Sequence, residues 1–382
     1  MKTTSVADRH LNPSVLILVS GFGLGFYIPG LLIRDRLRLM DIPANAEVFE
    51  SLICASKLEL VERNRQVYHA DFRVALASQR IPNDIRQSLD PYAVKNLLDR
   101  WKSQGRQYFA CLSGHWIHIL NLYREQMPGL ELYVDLLHLD ADASPSWKQM
   151  KKLVPDYFRG YREAHLYDSS LDRVLYRIDT NAGKPLPFDA RNDRLVVHGG
   201  GWGIGTYQAR IPELQAAGFS IDVVGYTSGE IADASPSKRY YIEDTTWKTW
   251  HLDEKGDCQY PPSGRLLAGC EEIIAPPQIG HHGLLEVIRS ARAIVSKPGA
   301  GTLIDSLGSA TPLIMLEPFG AHEEANAKVW EASGYGISYR DWIAKGASSS
   351  LLEQLHFNLI KSRENIADYA QALGVRFLQS ST

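Results

Sequence analysis

The chain has 382 residues, more than one hydrophobic core usually covers, so we expect two domains. Its net charge of −3 argues against a nucleic-acid-binding protein, and its 45% hydrophobic content is ordinary for a globular protein. The four cysteines lack metal-ligand spacing, and no apolar run reaches the roughly 18 residues of a membrane span. With a polar N-terminus, these features predict a cytoplasmic location and leave peripheral membrane contact and oligomeric state open.

The first apolar run, residues 15–19, is typical of a strand that is buried on both faces. It leads into a glycine-containing loop, which includes Gly21, Phe22 and Gly23. The loop does not fit the dinucleotide pattern Gly-x-Gly-x-x-Gly, because the third glycine position falls on Phe26 or Ile28. We therefore exclude a nicotinamide or flavin site.

Strands and helices alternate through the rest of the N-terminal half, which predicts a mostly parallel sheet. One strand, at 108–112, ends just before His115, and another, at 130–137, ends before His138 and Asp140. Ligands bind at the carboxyl ends of such strands, so these polar side chains are candidates for a site.

A loop at 181–188, which contains one asparagine, one glycine and two prolines, marks a domain boundary near residues 184–190, which divides the chain into 1–187 and 188–359. The second domain begins with a strand at 195–197 and a loop with five glycines in the seven residues 199–205. Consecutive N–H groups in such a loop form an anion site, so we expect a diphosphate there. The predicted contacts are Gly200, Gly201 and Gly203, and an unliganded turn is the alternative.

Residues 228–264 are rich in tyrosine and tryptophan and predict a β-hairpin insertion. Its aromatic side chains could stack on a sugar or an acceptor, or could only attach the insertion to its domain. A strand and loop at 272–277 return the chain to the parent domain.

Residues 293–316 follow the pattern strand, tight turn, helix, strand, which predicts a parallel crossover. The turn brings small residues to the helix N-terminus, where exposed N–H groups and the helix dipole favour a phosphate. These residues are Gly299, Ala300, Gly301 and Thr302, and Asp305 follows one turn further along the helix.

This stretch resembles the donor-binding domain of GT-B glycosyltransferases. The resemblance is to the peptidoglycan N-acetylglucosaminyltransferase and diacylglycerol glycosyltransferase family, of the family 28 type. Those enzymes carry Gly-Ala-x-Thr, a carboxylate on the following helix, and a polar loop that ends in Asn-Ala. The loop here contains His322, Glu323 and Asn326.

The resemblance implies an α/β fold of GT-B architecture, with two doubly wound Rossmann-like domains facing a central cleft. It also implies that the last helix, at about 360–382, packs back on the N-terminal domain. The first loop, with Gly21, Phe22 and Gly23, would lie on the acceptor side. Asp305 would hold the ribose, although relatives usually have glutamate there, and His322, Glu323 and Asn326 would contact the donor. Because the relatives' Gln position is Glu323 here, the sugar is left open.

The implied activity is inverting sugar transfer from a nucleotide donor, expected to be UDP-linked, to a hydroxyl or amine of a small-molecule or lipid acceptor. We expect no cofactor and no essential metal, because glycine N–H groups and helix N-termini can neutralise the diphosphate. Relatives often place a histidine base in the first loop, which has none here. We favour His115 as the base, with His138 and Asp140 as alternatives.

Two other functions stay open. A nucleotide-sugar hydrolase or 2-epimerase of the same fold needs no acceptor base, and a non-catalytic nucleotide-sugar-binding protein needs only the donor loops. Free sugar, a changed sugar or an unreacted bound donor would distinguish these functions.

Overall fold

The computed structural model describes residues 13–79, 84–231, 234–244, 246–266 and 280–380. The first of its two large sheets contains β1 (Val15–Val19), β2 (Ala44–Val48), β3 (Tyr108–Cys111), β4 (Tyr133–His138) and β5 (Arg162–His165). The strand order is β2-β1-β3-β4-β5, and all neighbours are parallel. The apolar run that forms β1 is buried throughout, as a strand inside a parallel sheet requires.

The second large sheet belongs to the C-terminal half. Its strands are β9 (Asn192–Val197), β10 (Ile221–Gly225), β11 (Lys238–Glu243), β12 (Ser263–Leu266), β13 (Ala291–Ser296), β14 (Leu313–Met315) and β15 (Gly336–Ser338). The order β11-β10-β9-β13-β14-β15 is parallel and is that of a Rossmann fold, and β12 adds an antiparallel edge. Two short pairs complete the strands, formed by β6 (Tyr167–Asp168) with β7 (Arg173–Val174) and by β8 (Tyr176–Arg177) with β16 (Ala367–Asp368).

Helices cover the sheets and fill the space between them. Those of the N-terminal half are α1 (Leu24–Arg38), α2 (Ala55–Ala70), α3 (Phe72–Ser78), α4 (Pro91–Ser103), α5 (Ile117–Gln126) and α6 (Pro145–Leu153). The others are α7 (Tyr207–Ala216), α8 (Leu284–Ser290), α9 (Ala300–Ser309), α10 (Ala321–Ala332), α11 (Tyr339–Ala344), α12 (Ser349–Arg363) and α13 (Tyr369–Ser380). Among the described helices, none has the length and apolarity that crossing a membrane requires.

The two halves share a hydrophobic core. Helix α1 packs against α9, and buried residues of both helices belong to one cluster that continues into both sheets. Helix α9 is buried on almost every side as a result, which explains its apolar composition. This shared core holds α1 and α9 in position relative to each other, and both helices begin at the cleft.

The last helix, α13, lies on the N-terminal sheet. The hydroxyl of Tyr369 donates to a carboxylate oxygen of Asp135 at 2.9 Å, and Arg376 donates to the same oxygen at 2.5 Å. Near the end of the helix, the Tyr108 hydroxyl donates to the carbonyl of Ser380 at 2.9 Å. The C-terminus therefore crosses from the second sheet to the first.

Residues 228–264 differ from the hairpin insertion that the sequence suggested. Strand β11 pairs in parallel with β10 inside the main sheet, and β12 pairs with β11 only after the long connection 244–262. That connection packs on α1, where Arg34 donates to the carbonyl of Cys258 at 2.6 Å. The sequence predicted strand structure in this segment but not that β11 pairs in parallel with the preceding strand of the main sheet. The strand expected at 272–277 lies outside the described residues.

Candidate active site between the two sheets

A cleft opens where the strand order of both sheets reverses. In the second sheet, this point lies between β9 and β13, which lead into the glycine-rich loop and the turn before α9. In the first sheet, it lies between β1 and β3, which lead into the loops at 20–23 and 112–116. The loops enclose a cavity of about 500 Å³. Ligands of doubly wound sheets bind at such points.

Most of the site residues expected from the sequence line this cavity. They are Phe22, Gly23, His115, Asp140, Gly200, Gly201, Gly203, Gly299, Ala300, Gly301, Thr302, Asp305, His322 and Glu323. Three do not: Gly21, His138 and Asn326. The amide N–H of Gly21 donates to the buried carboxylate of Glu50 at 2.6 Å, so this glycine anchors the loop from behind.

The glycine-rich loop is pressed against the N-terminal half. A β-carbon on Gly201 would lie 2.6 Å from Leu24, at the start of α1, and one on Gly203 would lie 2.6 Å from His69 on α2. Both glycines are thus required by close packing between the halves, in addition to any ligand. Gly200, with a φ of 76°, faces the side chain of Lys297 and leaves its surface toward the cavity open.

His198 holds the start of this loop. Its Nδ1 atom accepts a hydrogen bond from the N–H of Gly200 at 3.1 Å, which places the ring proton on Nε2. That Nε2 atom is buried and has no hydrogen-bond partner among the described residues. Burial lowers the pKa of His198 to about 4, so the ring is neutral and presents a donor beside the cavity.

The start of α9 offers free backbone donors and a lysine. Gly299 precedes the helix without a capping side chain, so the first N–H groups keep no helical acceptor. The Lys297 ammonium pairs with Glu323 beside these groups, and Glu323 also accepts a hydrogen bond from the N–H of Phe319 at 2.7 Å. Sequence reasoning missed Lys297, although the residue stands in the turn, because its partner is 26 residues away.

Asp305 already has a partner. Its Oδ1 atom lies 3.0 Å from Nε2 of His282, and both side chains are buried. Burial alone lowers the pKa of His282, but the charge and hydrogen bond of Asp305 and the charge of Glu243 outweigh it and raise that pKa. Nδ1 of His282 has no hydrogen-bond partner among the described residues.

Glu243 completes this group at the end of β11. It lines the cavity beside His282, and burial raises the pKa of its carboxyl to about 7. Neither Glu243 nor His282 was expected from the sequence, because they converge only through the sheet order.

On the opposite wall, His115 lies between two aromatic rings. Its ring centroid is 5.7 Å from that of Phe22 and 5.3 Å from that of Phe49. Burial lowers the pKa of His115 to about 4. The imidazole is therefore neutral at neutral pH, and its surroundings disfavour the protonated form that a general base must reach.

Asp140 faces the start of α10 across the cleft. Burial raises the pKa of its carboxyl, while His322 and the amide of Asn326 lower it by less. Asp140 and Asp142 have Asp-x-Asp spacing, but Asp142 instead binds the Lys148 ammonium at 2.7 Å. The two carboxylates thus have separate surroundings.

Asn326 bridges the two halves, which differs from the donor contact that the resemblance implied. Its Oδ1 accepts from the N–H of Ala141 at 2.8 Å, and its Nδ2 donates to Asp140 at 2.8 Å and to the carbonyl of Pro298 at 2.9 Å. The side chain is fully buried, and these three hydrogen bonds involve both its amide oxygen and its amide nitrogen.

His138 does not line the cavity. It lies at the end of β4 with its ring stacked on His165, with centroids 4.3 Å apart. Burial and the neighbouring His165 lower the pKa of His138 to about 3. The structure therefore places His138 outside the cavity that His115 and Asp140 line.

Helix α2 reaches across the cleft, which the sequence did not indicate. Nδ1 of His69 lies 2.9 Å from the carbonyl oxygen of Gly203, and Nε2 lies 2.9 Å from a carboxylate oxygen of Glu230. Both neighbours are hydrogen-bond acceptors, so the geometry fits a doubly protonated ring.

Comparison with known proteins agrees with the architecture, although no family model matches the chain. A UDP-N-acetylglucosamine–N-acetylmuramyl-(pentapeptide) pyrophosphoryl-undecaprenol N-acetylglucosamine transferase from Synechocystis sp. is 33% identical over 91 residues, which is 23% of this chain and 25% of that protein. The match thus spans about a quarter of the relative's length.

Two solved glycosyltransferases share the fold over nearly the whole chain. SnogD from Streptomyces nogalater is 12% identical, with a TM-score of 0.54 over 97% of this chain and 100% of its own. SsfS6 from Streptomyces sp. SF2575, complexed with thymidine diphosphate, is 12% identical, with a TM-score of 0.54 over 96% and 99%. The expected fold is confirmed: the chain has the α/β GT-B architecture of two Rossmann-like domains.

Proposed function

We propose that this protein is a glycosyltransferase that moves a sugar from a nucleotide donor to an acceptor hydroxyl or amine, with inversion and without a metal. The observation that carries the proposal is the convergence of three anion-binding features on one cavity. They are the glycine-rich loop, the uncapped start of α9 and the Lys297 ammonium. Fixed donors of this kind can stabilise the charge that develops on a departing diphosphate.

The donor nucleoside would lie against α9. Asp305 has one carboxylate oxygen bound to His282, which leaves the other oxygen for a ribose hydroxyl. We propose a UDP-linked donor, since the curated relative's name specifies UDP-N-acetylglucosamine. The solved neighbour with thymidine diphosphate makes a TDP-linked donor the comparison to test.

The acceptor would enter from the N-terminal side of the cavity. This wall includes the apolar or aromatic side chains of Leu24, Phe26, Ile28, Val61 and Tyr68. An acceptor with an apolar portion, either a small molecule or a lipid, fits such a lining.

We propose Asp140 as the general base, in preference to His115. Its carboxylate lies at the carboxyl end of the strand next to β3 and near His322, on the side of α10 that the resemblance links to the donor sugar. Burial raises the pKa of Asp140, which makes it a better proton acceptor than an ordinary aspartate, while the His115 ring is enclosed between Phe22 and Phe49. Inversion needs only one such base, with the diphosphate leaving from the opposite face.

The direct test measures the affinity of the full chain for UDP, TDP and uridine by calorimetry, with wild type and Lys297→Met. Loss of one charge-assisted contact, worth roughly 1.5–3 kcal/mol, should weaken UDP binding about tenfold to a hundredfold and leave uridine binding nearly unchanged. Lys255→Met, at an exposed position, is the control. Equal UDP affinity in Lys297→Met and Lys255→Met would contradict a diphosphate site beside Lys297.

Product analysis then assigns the reaction. Purified protein is incubated with a panel of UDP-sugars, with and without candidate acceptors, and the products are separated by mass spectrometry. Transfer requires an acceptor-dependent glycoside. Free sugar alone would identify a hydrolase, an altered sugar an epimerase, and an unreacted bound donor a binding protein.

A further inference from the structure

Three potential metal ligands lie together on the edge of the N-terminal sheet, outside the cleft. His138 ends β4, and its partner in the strand register is His165 on β5. Glu163 precedes His165 by two residues, so both side chains leave β5 on the same face. Each of the three offers one nitrogen or oxygen atom, and these atoms lie within 4.8 Å of one another.

The buried member of this cluster lacks a hydrogen-bond partner. His138 is only 5% exposed, and its Nε2 atom has no hydrogen bond among the described residues. Leaving such an atom unpaired is costly, so a ligand at this position would be favourable. The atom lies 3.3 Å from Oε1 of Glu163, without hydrogen-bond geometry.

The spacing already suits a metal ion. Two ligands at about 2.0–2.1 Å from a tetrahedral zinc ion are about 3.4 Å apart, close to the separation of His138 and Glu163. Glu163 and His165 are both exposed, so an ion can enter from solvent. The His165 ring is stacked on His138, and it must turn out of that stack to direct a nitrogen at the same ion. Two imidazoles and one carboxylate form a common zinc ligand set, with water in the fourth position.

We propose that His138, Glu163 and His165 bind a divalent transition-metal ion of the zinc type. The ion would join the edge strand β5 to β4. The ring of His138 also packs on Trp147 of α6, with centroids 4.6 Å apart, and the start of α6 lines the cleft through Ser144 and Ser146. Metal binding would therefore stabilise the acceptor-side wall, and it is independent of the sugar-transfer chemistry.

The test uses the full chain, freed of any affinity tag and treated with a chelator. Zinc chloride is titrated by calorimetry, and cobalt(II) is titrated by visible absorption, which reports tetrahedral nitrogen and oxygen ligation. Glu163→Gln and His165→Asn change exposed ligands and spare the buried His138, so both should fold. His251→Asn, at another exposed histidine, is the matched control.

We expect one zinc ion per wild-type chain and a higher thermal midpoint in its presence. Each ligand variant should bind zinc at least about tenfold more weakly and lose the shift in midpoint, while His251→Asn keeps both. No saturable zinc binding by the wild type would overturn the proposal. So would unchanged affinity in either ligand variant, or an equal loss in the control.

Discussion

The imidazole of His282 lies 3.0 Å from the carboxylate of Asp305, inside the cavity and with both side chains buried. A ribose-binding carboxylate with two free oxygens would accept two hydroxyl hydrogen bonds. Here one oxygen already contacts His282, so in the proposed function the nucleoside would bind a carboxylate that the histidine orients. His282 would thus be a positioning residue for Asp305.

We expect Asp305→Ala to weaken UDP binding by about tenfold to a hundredfold, because one charge-assisted hydrogen bond is worth roughly 1.5–3 kcal/mol. His282→Asn should cost less, and the double variant should bind UDP about as weakly as Asp305→Ala. Calorimetry with UDP and 2′-deoxy-UDP measures these losses. A deoxy penalty that is equal in wild type and Asp305→Ala would show that the carboxylate does not contact that hydroxyl.

The contact of α2 with the glycine-rich loop should depend on pH through His69. Burial lowers the pKa of this ring, but its contacts with Glu230 and Gly203 outweigh burial and raise that pKa above 6.5. A raised folded-state pKa gives stabilisation that is complete below the unfolded pKa and is lost as pH rises through the folded pKa. The contact of α2 with the glycine-rich loop is therefore strongest under mildly acidic conditions.

The measurement is the thermal midpoint of wild type and His69→Gln across the range from about pH 5.5 to 8.5, around the ordinary histidine pKa. The difference between the two proteins should be largest at the acidic end and should shrink toward the alkaline end. His251→Gln, at an exposed position, corrects for general effects of losing a histidine. A difference that does not change with pH would mean that protonation of His69 does not hold the contact.

Local patterns predicted several elements of this protein, but they missed α2 and the pairing of β11, and they did not predict the long-range contacts of the site. The run that forms β1 and the turn before α9 depend on neighbouring residues, so the sequence predicts them. Lys297, in contrast, pairs with Glu323, and Asp305 contacts His282. Such pairs form between distant segments that only the sheet order brings together.

The glycine-rich loop also shows a contact that the sequence could not predict. Its glycine density predicts close backbone approach, and the structure has such an approach at Gly201 and Gly203. However, the partners there are Leu24 and His69 of the other half. The glycine pattern predicts that another group approaches the backbone closely, but it does not identify that group.

Asn326 should contribute to the stability of the whole chain. Asn326→Ala leaves the Asp140 carboxylate, the Ala141 N–H and the Pro298 carbonyl without this partner in a buried position. Since one unsatisfied buried group costs about 1–3 kcal/mol, and relaxation recovers part of the total, we expect a loss of about 2–4 kcal/mol.

Urea unfolding, followed by circular dichroism, measures this loss as a lower midpoint. Asn365→Ala, which removes an exposed bond to the carbonyl of Lys361, is the matched control and should change the midpoint little. Equal midpoints for the two variants would contradict a bridging role for Asn326.

The kcat values of Asp140→Asn and His115→Ala should distinguish the two candidate general bases. Asp140→Asn keeps the acceptor oxygen that Asn326 contacts, so it removes basicity with little change in shape. We expect kcat to fall by about 10²–10⁴-fold, while donor affinity changes much less. His115→Ala should lower kcat by less than about tenfold, since burial already holds the pKa of that ring near 4.

Asp142→Asn is the control, because its carboxylate binds Lys148 and should not reach the acceptor. If Asp140 is the base, the wild-type rate should decline with falling pH sooner than an ordinary aspartate would allow, because burial raises its pKa. Because burial holds the pKa of His115 near 4, the kcat values of the two variants, rather than the pH profile, separate the two candidate bases. A near-normal kcat in Asp140→Asn, together with a large loss in His115→Ala, would transfer the role to the histidine.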